Sequence, residues 1–259
     1  MQVTGNTILI TGGGSGIGRA LAEAFHRRGN EVIIAGRRED ALRKVAEANP
    51  GMKTAVLDVQ DPAAIKRFAA RMAEEFPRLN VVLNNAGIMQ MEDWRADEVD
   101  LSTAEATIAT NLLAPLRLIA ALLPQLKRQP KSTVMTVSSG LAFLTLAHTP
   151  AYSATKAAIH ALSDSLRYQL RDTSVDVVEI APPYVATELM GEQQANDPHA
   201  MPLAEFIDEV MNILETQPNV REVLVKRVYP LRFAAEQGYE KYMEQFHTFN
   251  DRFGAGHLG

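Results

Sequence analysis

The sequence predicts an α/β fold, a single-domain doubly wound parallel sheet of about seven strands with helices on both faces. Three observations carry this. Short apolar runs closed by glycine or polar residues alternate with amphipathic helical stretches from residue 7 to residue 228. The runs lack polar alternation, as strands covered on both faces do. No long linker, internal repeat or low-complexity segment breaks the order, so residues 1–259 read as one domain.

The first strand is residues 7–10, an apolar run stopped by glycines. From Ile17 the period becomes helical, with Leu21, Ala24 and Phe25 on one stripe and Gly29 where a helix would end. Residues 32–35 are a second buried strand, and a charged helix over 39–48 closes at Asn49-Pro50-Gly51. Residues 54–57 form the third strand. Asp61-Pro62 then reads as an N-cap with proline at the first helical position, opening a helix to about residue 76. Residues 81–83 are the fourth strand, followed by a long helix over 102–127, a strand over 133–137 and a helix over 151–171. A sixth strand at 175–180 leads into an irregular loop, 182–199, then a helix near 202–215 and a last strand at 222–228. The loop and helix over about 184–216 are expected to form a mobile lid above a crevice. Residues 229–259 form a C-terminal extension rich in aromatic and charged residues, with no element assigned.

Composition narrows the function. The chain has 259 residues, 46% of them hydrophobic and 22% charged, which suits a packed globular domain and excludes a disordered one. With no cysteine there is no disulfide, thiolate metal site or cysteine nucleophile. A net charge of −5 argues against nucleic-acid binding. The N-terminus shows no basic segment followed by an apolar one, and the most apolar stretch, 112–126, holds Arg117 and two prolines and is too short to cross a bilayer. The expectation is a cytoplasmic protein with no membrane partner.

Between the first strand and the first helix stands Thr11-Gly12-Gly13-Gly14-Ser15-Gly16-Ile17-Gly18. Glycines there permit a tight turn and close approach of the backbone to a pyrophosphate, and they leave the helix N-terminus to offer N–H groups to it. The end of the second strand selects the dinucleotide. It reads Gly36-Arg37-Arg38 in place of an acidic residue, and either arginine could meet a 2′-phosphate with paired donors. NADP is therefore preferred, with NAD as the alternative.

Tyr152 and Lys156 lie four apart on one face of the helix after the fifth strand, and Ser139 lies at that strand's carboxyl end. In an open α/β sheet, ligands bind outside those ends, so the trio and the glycine loop converge on one crevice. Carbonyl reduction needs a hydride and a proton, and a phenol can supply the proton. Its reference pKa of about 10 must fall about 3 units for work near neutrality, or about 4 kcal/mol. One cation about 4 Å away supplies on the order of 4 kcal/mol at an effective dielectric of about 20, so Lys156 is expected to suffice. Ser139 would hydrogen-bond the substrate oxygen.

With these residues in view, the chain resembles the short-chain dehydrogenase/reductase family. The resemblance rests on Thr11-Gly12-x-x-x-Gly16-x-Gly18, Asn84-Asn85-Ala86-Gly87, Asn111, Ser139 and Tyr152-x-x-x-Lys156, and covers about residues 6–228. It implies a Rossmann fold and an NAD(P)-dependent oxidoreductase acting on a small carbonyl or secondary alcohol, usually as a homo-oligomer. It implies Tyr152 as acid/base, Lys156 as its pKa depressor and a ribose ligand, Ser139 on the substrate oxygen and Asn111 as anchor of a proton-relay water. The cofactor would run along Gly12, Ser15, Gly16, Ile17 and Gly18, Arg37 and Arg38, Asp58 and Val59, and Asn85, Ala86 and Gly87. It would end at Pro182, Val185 and Thr187, with Asp58 beside the adenine.

Two features depart from the family pattern. Pro182-Pro183 stands where Pro-Gly is common, which removes an N–H and stiffens the loop. The tail lacks the frequent glycine-rich ending, so a dimer through the helices at 102–127 and 151–171 is favoured over a tetramer. The six histidines, His26, His148, His160, His199, His247 and His257, show no metal-ligand spacing, although His148 could line the substrate site. Asp58 and Asp61 read better as a strand-end acid and an N-cap than as a catalytic pair. Met89, Met91 and Trp94 could flank substrate or only pack their loop. Two other classes compete: an isomerase or epimerase using the same Tyr/Lys pair, and a non-catalytic NADP-binding protein.

Overall fold

The computed structural model describes residues 1–254, so His257 and the last residues of the tail lie outside the described residues. Seven strands, β1 (Thr7–Thr11), β2 (Glu31–Gly36), β3 (Lys53–Val56), β4 (Leu79–Asn84), β5 (Ser132–Val137), β6 (Val175–Ile180) and β7 (Glu222–Val223), make one sheet. Every pairing is parallel and the order is β3-β2-β1-β4-β5-β6-β7. This is the doubly wound arrangement that the alternation predicts. The winding reverses between β1 and β4, which opens a crevice at their carboxyl ends.

The helices are α1 (Gly16–Arg27), α2 (Glu39–Ala48), α3 (Pro62–Glu75), α4 (Ser102–Ile108), α5 (Ala114–Lys127), α6 (Pro150–Gln169), α7 (Glu192–Ala195), α8 (Leu203–Thr216), α9 (Tyr229–Arg232) and α10 (Tyr239–Gly254). Alternate strand residues face opposite layers. Ile8 and Ile10 of β1 pack with Phe25 of α1 and Phe206 of α8, while Leu9 packs with Phe68 of α3 and Leu118 and Leu122 of α5. The caps follow the sequence signals. Asp61 Oδ1 accepts from Ala63 N–H at 2.8 Å above Pro62, and Gly29 takes φ +79 past the end of α1.

Four expectations change. The helix at 102–127 is continuous but widens into a π-helical turn over Ala109–Leu113, where Ala114 N–H bonds Ala109 O. Pro115, four residues after Asn111, has no N–H for the ordinary helical bond to that carbonyl. This 26-residue helix, Ser102–Lys127, has a window of mean hydropathy 1.7 and passes the length and composition test for a membrane span that 112–126 failed. Its Leu118, Ile119, Leu122 and Leu126 are buried against the sheet, which accounts for that apolar face without a bilayer. The strand expected at 222–228 is only Glu222–Val223, because the chain turns into a 3-10 helix at Lys226–Val228. Finally, α8, expected within the mobile lid, is seated in the core along one face. Phe206, Ile207, Val210, Met211 and Leu214 are buried in the same core as β1 and α1.

Candidate active site

The glycine loop joins β1 to α1 at the crevice. Gly12 and Gly16 take φ +69 and +53, values that favour glycine. A Cβ on Gly12 would lie 2.8 Å from Asn85 Nδ2, and one on Gly18 would lie 2.4 Å from Gly12 O. Close approach of backbone to backbone thus requires these two glycines. Ser15 at the N-cap of α1 makes no side-chain cap bond, so the first helical N–H groups are left for another acceptor. Ile17 packs against the core beneath them.

Thr11, which the sequence reading placed in the glycine motif without a role of its own, joins this loop to the next. Its buried hydroxyl accepts from Asn85 N–H and Ala86 N–H, each at 3.1 Å. The Asn85 amide donates back to Thr11 O at 3.0 Å and Gly12 O at 3.4 Å. The side chain of Asn85 is therefore committed to holding the glycine loop, and Gly87 lies against Asn111. Arg37 and Arg38 are both exposed just beyond β2, and Arg38 Nη2 donates to Ser15 Oγ at 3.1 Å. Beyond β3, Val59 is buried and Asp58 is exposed, its carboxylate accepting from Gln60 N–H at 3.0 Å.

On the opposite wall, Val185 and Thr187 are held by Gln194, another residue the sequence reading missed. Its buried amide donates to Val185 O at 2.9 Å and Thr187 Oγ1 at 3.2 Å, which brings Thr187 over Gly16. Pro182 O accepts from Gly140 N–H at 2.8 Å, tying the double-proline loop to the Ser139 turn.

Ser139, Tyr152 and Lys156 are all buried and meet at the carboxyl end of β5. Ser139 Oγ accepts from Leu141 N–H at 3.1 Å, which leaves its hydrogen to donate, and it hydrogen-bonds Tyr152. Tyr152 and Lys156 lie one turn apart on α6. The free N–H of Ala151 at the start of that helix is taken by the Glu92 carboxylate at 2.9 Å. Lys156 Nζ donates to Val137 O at 2.8 Å and lies 5.4 Å from the centre of the Tyr152 ring. Asn111 sits in the π turn, where its side chain accepts from Ile88 N–H at 2.9 Å and donates to Ile88 O at 2.8 Å. Its amide also reaches Thr155 Oγ1 at 3.4 Å, which fastens α4–α5 to α6.

One expectation reverses. Burial pushes the Tyr152 phenol up to about 12, against the downward pull of the Ser139 hydrogen bond. The ammonium lies over the ring face, and desolvation of the phenolate is the larger influence on the phenol, ahead of the Ser139 hydrogen bond. Burial also lowers Lys156 to about 8, with Glu179 acting in the opposite sense.

Ser139 and Tyr152 open onto a cavity of about 110 Å³. Met89, Met91, His148 and Pro182 line it, whereas Trp94 is exposed and does not. Most of the remaining wall is apolar: Leu141, Leu146, Leu189, Met190, Leu231 and, from α10, Phe249 and Phe253. Asn250 fixes α10 there by accepting from Ala147 N–H at 2.6 Å and donating to Thr145 O at 3.1 Å. Tyr184, bonded to Asp197 at 3.1 Å, meets the Phe253 ring edge-on at 6.1 Å. The tail with no assigned element thus supplies the outer wall. Among the described residues no group of three or more potential metal ligands occurs.

Comparison with known proteins gives concordant matches. The short chain dehydrogenase family model matches residues 6–198. The chain is 40% identical over 251 residues to the uncharacterized oxidoreductase DltE of Bacillus subtilis (strain 168), covering 96% of this chain and 99% of that protein. It is 31% identical over 234 residues to an uncharacterized oxidoreductase of Staphylococcus aureus (strain N315), covering 87% and 99%. Among solved structures, a short-chain dehydrogenase from Streptomyces avermitilis superposes with a TM-score of 0.80 at 26% identity, covering 96% of this chain and 99% of that one. The fold is also that of a short chain dehydrogenase from Burkholderia cenocepacia J2315 in complex with NADP, with a TM-score of 0.81 at 24% identity, covering 95% and 99%.

Proposed function

The chain belongs to the short-chain dehydrogenase family, and from that premise we propose that it is an NADP-preferring reductase of an uncharged, apolar carbonyl compound. The observation that carries this reading is the convergence of Ser139 and Tyr152 on an apolar cavity. The cradle fits a dinucleotide, because Gly12 and Gly18 let the loop close tightly on Asn85 and on itself, and the start of α1 keeps its N–H groups unspent. Gly12, Ser15, Gly16, Ile17 and Gly18 would hold the pyrophosphate, and Arg37 and Arg38 the 2′-phosphate. Asp58 and Val59 would border the adenine. Ala86, Gly87, Pro182, Val185 and Thr187 would flank the nicotinamide half, with Asn85 acting through the glycine loop. The nicotinamide, when bound, supplies the hydride.

The protein's own part is orientation and the proton. Ser139 donates to the carbonyl oxygen, and Tyr152 passes its phenolic proton to that oxygen as the alcohol forms. A phenol pushed up to about 12 keeps its proton at neutral pH, the form from which reduction draws it. Lys156 holds positive charge beside the phenolate left behind and would reach a ribose hydroxyl. Asn111 keeps the π turn against Ile88, where a relay water would be anchored. Exposed Ile108, Leu113 and Leu116 on the α4–α5 face support a homodimer. The reading sets the enzyme in the cytoplasm.

The test is a panel of uncharged ketones and aldehydes followed by nicotinamide absorbance with NADPH and NADH. Tyr152→Phe should lower kcat at least about 100-fold and leave the NADPH Kd within about twofold. Unchanged turnover would remove Tyr152 from the chemistry. Arg38→Ala should reduce the preference for NADPH, and a wild-type preference for NADH would overturn the cofactor assignment.

A further inference from the structure

Behind Tyr152 and Lys156 runs a buried polar seam. Tyr152, Lys156 and His160 recur at one-turn spacing along α6. Against His160, on β6, stands Glu179, fully buried. One of its oxygens is 2.8 Å from His160 Nδ1, and the other, Oε1, has no hydrogen-bond partner among the described residues. Its lateral neighbours in the sheet, Thr136 on β5 and Glu222 on β7, are occupied elsewhere. Thr136 Oγ1 pairs with Ser163 at 2.8 Å, and Glu222 takes Arg232 through two bonds of 2.6 and 3.1 Å.

Lys156 Nζ bonds Val137 O, one residue beyond the Thr136 that pairs with Glu179. The ammonium is thus held on β5, and adjacent strands are roughly 5 Å apart. A lone carboxylate so buried is costly and calls for compensating positive charge. The groups facing Glu179 supply it: His160 and Lys156 from α6, and Arg232 from α9, with Glu222 on β7 already paired to Arg232. Asp164 of α6 also acts on His160. Around Lys156 itself stand Tyr152 on its own helix, the Val137 carbonyl and Glu179.

We propose that Glu179, fixed in place by His160, is the buried counter-charge that keeps Lys156 cationic beside Tyr152. It touches neither substrate nor cofactor, so it is a positioning residue. The inference rests on the roles of Tyr152 and Lys156 proposed above. Burial and Glu179 pull the Lys156 proton in opposite directions, and without the carboxylate only the unfavourable effect of burial remains.

The test reads the lysine directly in the full-length protein. With 13C-labelled lysine and the resonance assigned by its loss in Lys156→Arg, the wild-type midpoint should fall near 8. Glu179→Gln keeps the shape and removes the charge, and should lower that midpoint by about one pH unit. Glu179→Asp, which keeps the charge, should stay close to wild type. Where Glu179→Gln does not fold, Glu179→Met, apolar and of similar volume, takes its place. The alkaline limb of kcat/KM should move with the lysine midpoint, which a merely structural role for Glu179 would not produce. A midpoint within about 0.3 unit of wild type in a folded neutral variant overturns the inference. Because the resonance needs no turnover, a failed substrate panel would sink the proposed function and leave this inference standing. An unmoved midpoint in an active enzyme would do the reverse.

Discussion

Gly18→Ala isolates the physics of the cofactor cradle. Its new methyl would lie 2.3 Å from Asn85 Nδ2 and 2.4 Å from Gly12 O, both inside contact distance, and the second atom is backbone. Alanine gains about 1 kcal/mol over glycine in a helix. Against that, overpacking of this kind costs about 1–3 kcal/mol. Pushing Asn85 aside also strains its bonds to Thr11 O and Gly12 O, each contributing about 1 kcal/mol. The balance is a loss of about 1–3 kcal/mol, concentrated where the pyrophosphate would lie. If about 2 kcal/mol of it must be recovered to restore the cradle, the NADPH Kd rises about 30-fold. Fluorescence titration of NADPH, beside urea melts, reads both quantities. Gly29→Ala is the control: its φ is +79 and no atom lies within 4 Å of the added methyl. It should lose about 1 kcal/mol of stability and bind NADPH as wild type does. Gly18→Ala binding NADPH within about threefold of wild type would refute the steric argument.

Three further outcomes are expected. Thr11→Val removes the acceptor of the part-buried N–H groups of Asn85 and Ala86 and should cost about 1–3 kcal/mol in urea unfolding, with weaker NADPH binding; an unchanged midpoint would show that the hydroxyl is not their essential acceptor. Phe249→Ala opens the outer wall of the cavity and should shift kcat/KM toward bulkier ketones by about tenfold, leaving NADPH affinity unaltered; an identical substrate profile would separate α10 from specificity. His160 is raised above 6.5 chiefly by its bond to Glu179. Its stabilisation is therefore complete below pH 6.5 and lost as pH rises through the higher folded value, a slope that melts of His160→Gln should lack and wild type should show.

Much of the fold was legible because each element announced itself locally. Apolar runs ended in glycine, Asp61-Pro62 opened α3, and Gly29 followed α1. Tyr152 and Lys156 were legible by spacing, since one turn of helix fixes who neighbours whom, and Ser139 was legible by its place at the carboxyl end of β5. Tertiary context decided the rest. Phe206, Val210 and Met211 repeat at core spacing, yet the long loop before them drew the reading toward a lid, while the structure buries them beside α1. In the tail, Phe246, Phe249 and Phe253 also repeat at helical spacing, but only packing reveals that the last two face a cavity. Pro115 was visible, and the π turn it accompanies was not. The rise of Tyr152 to about 12 had no sequence signal at all, because desolvation depends on what surrounds a side chain in space.

The α10 helix has a consequence for how such an enzyme could diversify. Asn250 grips two backbone groups of the 145–147 segment and Gln245 grips Pro230 O at 2.9 Å, while the glycine loop and its threonine latch lie elsewhere. Mutation can therefore reshape the aromatic wall while the nucleotide half stays untouched. On the proposed function, the aromatic part of the substrate wall is written apart from the residues assigned to the chemistry, and drift in that part leaves the other readable.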